Sequence, residues 1–583
     1  MRSFDWVVLA ASLVFIVAYG VWKGRRNRDL DGYILGDQAM RWYTVAFSIM
    51  ATQASAITFI STPGQAYVDG MRFVQFYFGL PLAMIVLSVT VVPLYRKLKI
   101  YTAYEFLERR FDVKVRSLAA FLFLIQRGLA CGLTIYAPAV VLSVLLGWNL
   151  YITNLVIGVL VIIYTASGGA KAVAHTNFWQ MVIILGGMIA TLVIALSLLP
   201  ESVSFGDAVH VAGVMGRLNA IDFSFDLKNR YTFWSGLIGG FFLALSYFGT
   251  DQSQVGRYIS GQSVAQSRIG LLFNGLVKVP MQFVILFIGA MVFVFHQFNP
   301  TPVYFNPVEA KRVEASAHAG DFQALQKDYD VLSAAKTTQI QTLLEARRAK
   351  DAAAEARAAT SVAEIQAEGL KVRAQAKEIV RQVNPRSDGN DVNYIFLTFV
   401  LQYLPVGVVG LVIAMIFAAS MSSTASELNA LASTTVVDFY RRFGKRDYSD
   451  RHLVAVSKTA TVVWGGLAIL FAEYANRLGS LVEAVNILGS LFYGTILGIF
   501  LLAFYFKRAG GTAVFIGALA GEAAVVLCFT TSGISFLWYN VVGCLVTIAV
   551  ALAISHFRGA DLRPYPNEIT SPPSTPRPVS RAS

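Results

Sequence analysis

Two apolar segments of the chain carry small hydroxyl residues where an inert membrane helix would carry aliphatic ones. The first extends from Ser48 to Gly64 and the second from Ala418 to Ser426. Unwinding a helix inside the membrane frees backbone carbonyls, and hydroxyls of a second helix can complete an all-oxygen site that suits a hard cation such as Na⁺. Small residues also let helices pack closely, and Ser or Thr can bond to the preceding turn. The pattern alone leaves a cation site and close packing as alternatives.

The composition places these segments in a membrane protein. Of 583 residues, 56% are hydrophobic and 14% are charged, whereas soluble domains are about a quarter charged. The three cysteines form no C-x-x-C pair, the six histidines show no H-E-x-x-H spacing, and the sequence contains no G-x-x-x-x-G-K-S/T loop. No nucleophile and base stand at usable spacing. These patterns argue against an enzyme and against an ATP-driven pump.

Apolar runs long enough to cross the roughly 30 Å core of a bilayer predict about 13 transmembrane helices. The predicted spans 1 to 13 are residues 5–22, 42–62, 73–94, 117–146, 151–166, 176–199, 232–249, 269–296, 408–437, 453–474, 480–504, 511–530 and 536–556. Lys and Arg cluster in the loops after spans 1, 3 and 9. The positive-inside rule then puts the N-terminus outside and the C-terminus inside. The net charge of +13 is therefore a topology signal, and we expect no nucleic-acid partner.

One segment, residues 301–393, differs from the spans on both sides of it. It contains 13 basic and 13 acidic side chains and apolar residues at near-helical spacing. It divides the chain into spans 1 to 8 (1–300), an extracytoplasmic charged helical insertion (301–393), spans 9 to 13 (394–557) and a proline-rich, disordered cytoplasmic tail (558–583). The insertion is predicted to be one or two exposed helices. A solvated spacer is the simpler interpretation; docking a partner or covering the outer vestibule is the alternative.

The sequence after span 7, Gly249 to Tyr258 (GTDQSQVGRY), resembles the GTDQxxVQRY signature of the sodium/solute symporters. Gly489 to Gly494, and the chain on to Arg508, are similar to that family as well. The similarity extends from about Gly36 to Gly521, without the insertion. It implies an all-α polytopic protein with a LeuT-like core, in which spans 2 to 6 and 7 to 11 form two inverted five-helix repeats.

The resemblance also implies a sodium site between spans 2 and 9. Its ligands map onto the backbone carbonyls of Ala51, Ala54 and Ala419 and onto the hydroxyls of Ser422 and Ser423. Each position matches the family in residue type or needs only a backbone oxygen. The same two helices are the ones that the hydroxyl runs indicate.

Two further positions are assigned to coupling by the resemblance, Asp251 in the signature and Asn177 at the start of span 6. Where relatives carry Asp in a W-T-D-x-x-Q stretch, this chain has Asn177. The amide keeps an oxygen but loses the charge that helps to hold a second sodium in relatives. We therefore expect one Na⁺ per cycle. The alternative for Asn177 is a cytoplasmic helix cap, because Asn is a good N-cap residue.

The substrate pocket departs from that of the sugar-transporting relatives. Their Gln, Glu and Asn map onto Thr58, Tyr77 and Ala244, which weakens a hexose interpretation, whereas their inner-gate tyrosine maps onto Tyr247. The alternative for Tyr247 is aromatic packing.

Charged residues within the spans favour a carboxylate-bearing substrate, because Arg127 in span 4 and Lys278 in span 8 could face a cavity. The alternatives for these two cations are an ion pair with Glu427 or Glu105, a backbone carbonyl, or snorkelling. The remaining predicted pocket residues are Gln53, Ser55, Gln75 and Asn274.

We expect a sodium-coupled secondary symporter that imports a small organic solute by alternating access. The alternatives are symport of a sugar or another neutral solute, a proton-coupled or facilitative carrier on the same fold, and a transporter-like sensor. The expected partners are Na⁺, the solute and the lipid bilayer, without an obligate protein partner. The expected location is the plasma membrane, with a bacterial inner membrane favoured.

Overall fold

The computed structural model describes residues 1–24, 40–385, 387, 389–444, 448–475 and 478–558. Within these ranges the side chains of residues 20, 21, 23, 24, 167–175 and 558 are not described. The predicted disordered tail therefore lies outside the described residues, except for Arg558, which ends a helix.

The described part of the chain is all-helical and contains a single isolated β-bridge, between Met40 and Gly261. The helices of spans 1 to 8 are Ser3–Gly24, Trp42–Gln53 and Ala56–Asp69 (span 2), Leu80–Val89 and Val91–Leu98 (span 3), Val113–Leu146, Leu150–Ser197 (spans 5 and 6), Gly240–Gly249 and Val264–Phe298. The helices of spans 9 to 13 are Val408–Thr434, Asp450–Ala472, Leu481–Tyr505, Gly511–Thr531 and Phe536–Arg558.

Nine helices of the described residues are long and apolar enough to cross a membrane, and four shorter apolar helices accompany them. The all-α class is thus confirmed, while the number of 13 spans and the side of each terminus stay predictions. Short helices outside the spans include Ala103–Arg110, Phe205–Val214 and Gln252–Ile259.

Span 2 is broken in its middle, within the hydroxyl run whose unwinding was one of the two alternatives. The first half-helix ends at Gln53 and the second begins at Ala56. Ser55 between them is extended, with φ −76° and ψ 170°. The amide of Ser55 bonds to the carbonyl of Gln53 at 3.1 Å and so leaves the helical pattern of bonds to the fourth preceding residue.

Spans 5 and 6 form one helical run, but the run turns back on itself. The hydroxyls of Tyr164 and Thr176 are 2.9 Å apart. A straight helix would separate two residues 12 positions apart by about 18 Å along its axis, which is beyond the reach of the two side chains. The chain therefore bends sharply between these residues, and the two arms lie side by side against span 9.

Span 9 lies at the centre of the bundle, against spans 1, 4, 5 and 6, and span 8 packs along both halves of span 2. The contact between spans 8 and 2 is close, because a Cβ atom at Gly289 would lie 2.2 Å from the carbonyl oxygen of Pro63. On another side of span 2, a Cβ atom at Gly64 would lie 2.0 Å from the carbonyl oxygen of Val392. Glycine is required at both places by the approach of another backbone.

The insertion forms a helical hairpin of Ala319–Ala349 and Ala352–Val383, preceded by the helix Pro307–Glu314 and followed by Val392–Tyr403. Lys350 turns the chain with φ 57°, and the Asp351 side chain caps the second helix of the hairpin. Ile340, Leu343 and Leu344 of the first helix are buried in the same apolar core as the spans. The hairpin is therefore docked on the transmembrane helices and is not a freely solvated spacer.

We predict that Gly289→Ala lowers the melting temperature of the detergent-purified protein by several degrees, since overpacking costs about 1–3 kcal/mol. Gly186→Ala is the matched control, because a Cβ atom at Gly186 meets nothing within 4 Å. Equal melting temperatures for the two variants would show that spans 2 and 8 do not pack this closely.

Candidate functional site

A cavity of about 100 Å³ opens at the break in span 2. Spans 2, 3, 4, 7, 9 and 11 all contribute to it. The predicted substrate residues that line it are Gln53, Ser55, Thr58, Tyr77, Arg127 and Tyr247. The structure thus brings together six residues from four separate parts of the sequence.

The break leaves backbone polar groups of both half-helices without helical partners. Among the described residues, no backbone N–H is bonded to the carbonyl of Ala51 or Ala54, the two predicted sodium ligands of span 2. At the start of the second half-helix, the Ser55 side chain makes no capping hydrogen bond. The first backbone N–H groups of this half-helix therefore have no helical or capping acceptor. The first half-helix therefore ends in partial negative charge, and the second begins in partial positive charge.

Side chains of spans 2, 6 and 9 are joined next to the break by buried hydrogen bonds. The Ser422 hydroxyl donates to the Asn177 amide oxygen at 2.7 Å, and the Asn177 amide nitrogen donates to the Ser48 hydroxyl at 3.1 Å. The hydroxyls of Thr52 and Ser426 are 3.0 Å apart. Asn177 lies inside its helical run and is fully buried, so the alternative of a cytoplasmic helix cap is wrong.

The predicted sodium ligands of span 9 lie on one turn of this helix. The Ser423 hydroxyl donates to the carbonyls of Ala419 at 3.0 Å and Ser420 at 3.2 Å. Together with the carbonyls of Ala51 and Ala54 across the contact with span 2, these groups offer oxygens only. Such a donor set fits a hard cation such as Na⁺, and lacks the sulfur and nitrogen that softer metals prefer.

Arg127 lines the cavity, but its charge is already compensated. Its guanidinium donates to Glu427 at 3.0 Å and also to Asp251. Tyr493 and Thr134 bond the same two carboxylates, at 2.9 Å and 2.8 Å. The ion pair with Glu427, which was the alternative for Arg127, is therefore present. With Asp251 included, one cation and two carboxylates give the group a formal charge of −1. A substrate carboxylate does not meet a free guanidinium here.

Three predicted pocket residues lie outside the cavity lining. Lys278 is buried, and its ammonium lies 5.7 Å from the centre of the Tyr77 ring, which does line the cavity. Asn274 is buried on the same helix, and its amide has no hydrogen-bond partner among the described residues. Gln75 holds a loop, since its amide bonds to the backbone of Tyr231 and Asp222 at 2.9 Å each. The prediction that Arg127 and Lys278 both face the cavity as free cations is therefore not met.

Tyr247 lines the cavity, where the Arg127 guanidinium lies 5.4 Å from the centre of its ring and its hydroxyl accepts a hydrogen bond from Gln254 at 2.6 Å. The aromatic packing that was the alternative for Tyr247 is present as well, because its ring centre lies 5.9 Å from that of Tyr493. Asp251 caps the helix Gln252–Ile259 through the Ser253 amide at 2.8 Å, in addition to its ion pair.

The cavity is also lined by polar residues that the sequence analysis did not assign to the pocket, namely Thr52, Gln126, Thr134, Asn486 and Tyr493. Gln126 adjoins Arg127, and Tyr493 lies in the second family motif, so both had a signal in the sequence. Asn486 stands alone in an apolar span and had none.

Comparisons with known proteins agree with this architecture. The sequence profile of the "Sodium:solute symporter family" matches residues 33–320 and 364–521, and the gap between these ranges falls in the insertion. The human sodium-coupled monocarboxylate transporter 1 is 28% identical over 89% of this chain and 72% of its own length. The sodium/sialic acid symporter of Aliivibrio fischeri is 25% identical over 94% of this chain and 92% of its own length.

Among solved structures, a substrate-bound, outward-open sodium-coupled sialic acid symporter superposes with a TM-score of 0.74 at 22% identity. It covers 96% of this chain and 99% of that one. A closed nucleobase-cation-symport-1 family transporter gives a TM-score of 0.50 at 11% identity. These likenesses confirm the fold.

We predict that Arg127→Gln strongly destabilises the protein, because it leaves two buried carboxylates without a cation. Breaking a buried pair costs about 3–5 kcal/mol, measurable as a large fall in melting temperature and folded yield. The double variant Arg127→Gln/Glu427→Gln restores the original formal charge and is expected to recover part of the loss. A single variant as stable as the double one would contradict the charge argument.

Proposed function

Because this chain belongs to the sodium:solute symporter family, we propose that it couples one Na⁺ to the import of a small organic carboxylate by alternating access. Sodium-coupled symport in a multi-pass membrane protein is the property of the family. The carboxylate, the single ion, the site residues and a bacterial inner membrane are our proposals.

The observation that carries the proposal is the pair of helix ends at the break in span 2. The carbonyl end of Trp42–Gln53 favours a cation, and the amide end of Ala56–Asp69, which opens on the cavity, favours an anion. Sodium and a carboxylate can thus bind on opposite sides of one break, each against the helix end of opposite partial charge. A neutral solute would use only one of the two ends.

The donors available to the carboxylate are neutral. Backbone N–H groups at the start of the second half-helix and the side chains of Gln53, Thr58 and Asn486 face the cavity. Arg127 supplies no free charge, since two carboxylates hold it. The cavity of about 100 Å³ suits a small solute. The names of two relatives support an acidic solute, because a monocarboxylate and a sialic acid are both carboxylic acids.

Coupling follows from the shared break. Sodium bound by the carbonyls of Ala51 and Ala54 fixes the end of the first half-helix, and thereby the N–H groups that the carboxylate needs. Each ligand then raises the affinity for the other, and this differential affinity is the whole of the coupling. Co-transport of one Na⁺ with a monovalent anion is electroneutral. A tenfold Na⁺ gradient, worth about 1.4 kcal/mol, then supports about tenfold accumulation.

A proton-coupled carrier is the second candidate. It is favoured by the group of Arg127, Asp251, Glu427, Tyr493 and Thr134, which we call the Arg127 cluster. Asp251 and Glu427 share one guanidinium, so the cluster has a formal charge of −1 that one proton could neutralise. Uptake into proteoliposomes that follows a pH gradient in the absence of Na⁺ would replace the sodium proposal with this one.

We predict that Ser423→Ala raises the Na⁺ concentration for half-maximal uptake by about tenfold, because loss of one ligand is worth about 1.4 kcal/mol. Ser433→Ala is the matched control, since Ser433 is a buried serine on the same helix whose hydroxyl likewise bonds to the preceding turn. An unchanged Na⁺ dependence in Ser423→Ala would refute the position of the site.

We predict that the purified protein is stabilised against heat by a carboxylate in Na⁺ buffer but not in K⁺ or choline buffer. The panel should contain monocarboxylates, sialic acid, sugars, amino acids, nucleosides and vitamins. A sodium-dependent shift with a sugar alone would keep the coupling and overturn the carboxylate. Shifts that are the same in Na⁺ and K⁺ would overturn the coupling.

A further inference from the structure

A second cavity lies between the hairpin of the insertion and the ends of spans 2 and 8. It measures about 40 Å³, and we call it the outer basic cavity. The residues that define it here are Arg217, His296, Lys336, Gln366 and Arg373. Lys336 and Arg373 come from the two helices of the hairpin, and His296 comes from the end of span 8.

Lys336 is a buried cation without an acidic partner. Its side chain is only 7% exposed, and its ammonium donates to the Gln366 amide oxygen at 2.9 Å. No carboxylate of the described residues lies within 4 Å of this ammonium, so its charge is not paired. Burial, together with the positive charges of Arg217 and Arg373, lowers the pKa of Lys336 to about 8. Burying an unpaired charge is costly unless a counter-charge binds.

Arg217 is a second cation without an ion pair among the described residues. Its guanidinium stacks on the Phe293 ring at 4.4 Å and donates to the backbone carbonyl of Val68. Its Nε atom is buried and has no hydrogen-bond partner in the described structure. Burial lowers the pKa of Arg217, although Asp69 at the end of span 2 opposes this effect. An acceptor in the cavity would satisfy this Nε atom.

Arg373 does have a partner, but the partner is shared. Asp391 contacts the guanidinium of Arg373 at 2.6 Å and the ammonium of Lys377 at 3.0 Å. Two cations on one carboxylate leave a surplus of one positive charge. With Arg217, Lys336 and the opposing Asp69 added, the region carries a surplus of about two positive charges.

The cavity also has buried polar atoms that lack partners. Nε2 of His296 and Oε1 of Gln297 are both buried and make no hydrogen bond within the described residues. Both residues are about 3% exposed, so bulk water does not reach these atoms freely. Both atoms are acceptors, because Nδ1 of His296 donates to the Val292 carbonyl and leaves Nε2 of the neutral ring without a proton, so they suit a donor such as a water molecule beside the anion.

We propose that the outer basic cavity binds one small anion, either chloride or the carboxylate group of a small organic acid. The anion accepts hydrogen bonds from Lys336 and Arg217 and neutralises the surplus positive charge. Because the cations come from the hairpin and from the transmembrane part, the anion joins the insertion to the spans. This site is separate from the cavity at the break in span 2, and it does not depend on the proposed function.

The test is thermal unfolding of the full-length purified protein in potassium salts at constant potassium concentration. Potassium replaces sodium so that the sodium-dependent central site is not engaged. Chloride, acetate and gluconate are compared, since gluconate is too large for a cavity of about 40 Å³. We expect the melting temperature to rise by about 2 °C or more, and to saturate, with at least one of chloride and acetate. We expect no such rise with gluconate.

The variant Lys336→Met is expected to abolish this rise. It should also melt at a higher temperature than the parent protein without the small anion, because a buried unpaired charge has been removed. Lys327→Met is the matched control, since Lys327 is an exposed lysine on the same helix. The variant Arg217→Gln should reduce the rise in melting temperature that the small anion causes, although Lys336 is still present.

Three results would overturn the proposal. The first is a melting temperature that is the same in chloride, acetate and gluconate. The second is an anion effect of the same size in Lys336→Met and the parent protein, which would place the anion elsewhere. The third is an anion effect that requires Na⁺, which would assign it to the central cavity. Failure of the carboxylate symport proposal, in contrast, leaves this experiment in potassium salts unaffected.

Discussion

The break in span 2 is the constraint on which the rest of the structure depends. A membrane interior has no water for unpaired backbone groups, so an interrupted helix is stable only where it lines a cavity or is buried in protein. Here both conditions hold: spans 8 and 9 enclose the break, and a cavity opens on its amide end. The close approach of Gly289 to Pro63 and the bridge from Ser48 through Asn177 to Ser422 hold the two halves in place.

Charge is balanced differently in the middle of the bundle and under the hairpin. In the middle of the bundle every described member of the Arg127 cluster bonds to another member, and Asp251 and Glu427 together outweigh the guanidinium. Under the hairpin the balance is reversed, because Lys336 and Arg217 have no carboxylate of the described residues within ion-pair distance. A protein that carries both deficits can accept a cation in its interior and an anion at its periphery.

Much of this could be predicted from the sequence, because it follows from local composition. The all-helical class and the helical insertion follow from long runs of apolar or charged residues, and the break in span 2 falls within its run of hydroxyl residues. The residues that line the cavity could not be predicted in the same way. Gln75 was expected in the pocket, yet its partners, Asp222 and Tyr231, stand 147 and 156 residues away. Lys278 was assigned from depth in its span alone, which does not fix the face of the helix on which it lies.

The pairing of Arg127 also bears on how the chain is made. Its two carboxylates follow it by 124 and 300 residues, so span 4 is synthesised well before either of them. During biogenesis this helix enters the bilayer with an unpaired arginine, at a cost of about 2.5–3.5 kcal/mol near the helix centre. The length of Val113–Leu146, 34 residues of mostly apolar sequence, compensates for that cost until the later helices arrive. The order of synthesis thus favours a long and mostly apolar fourth helix.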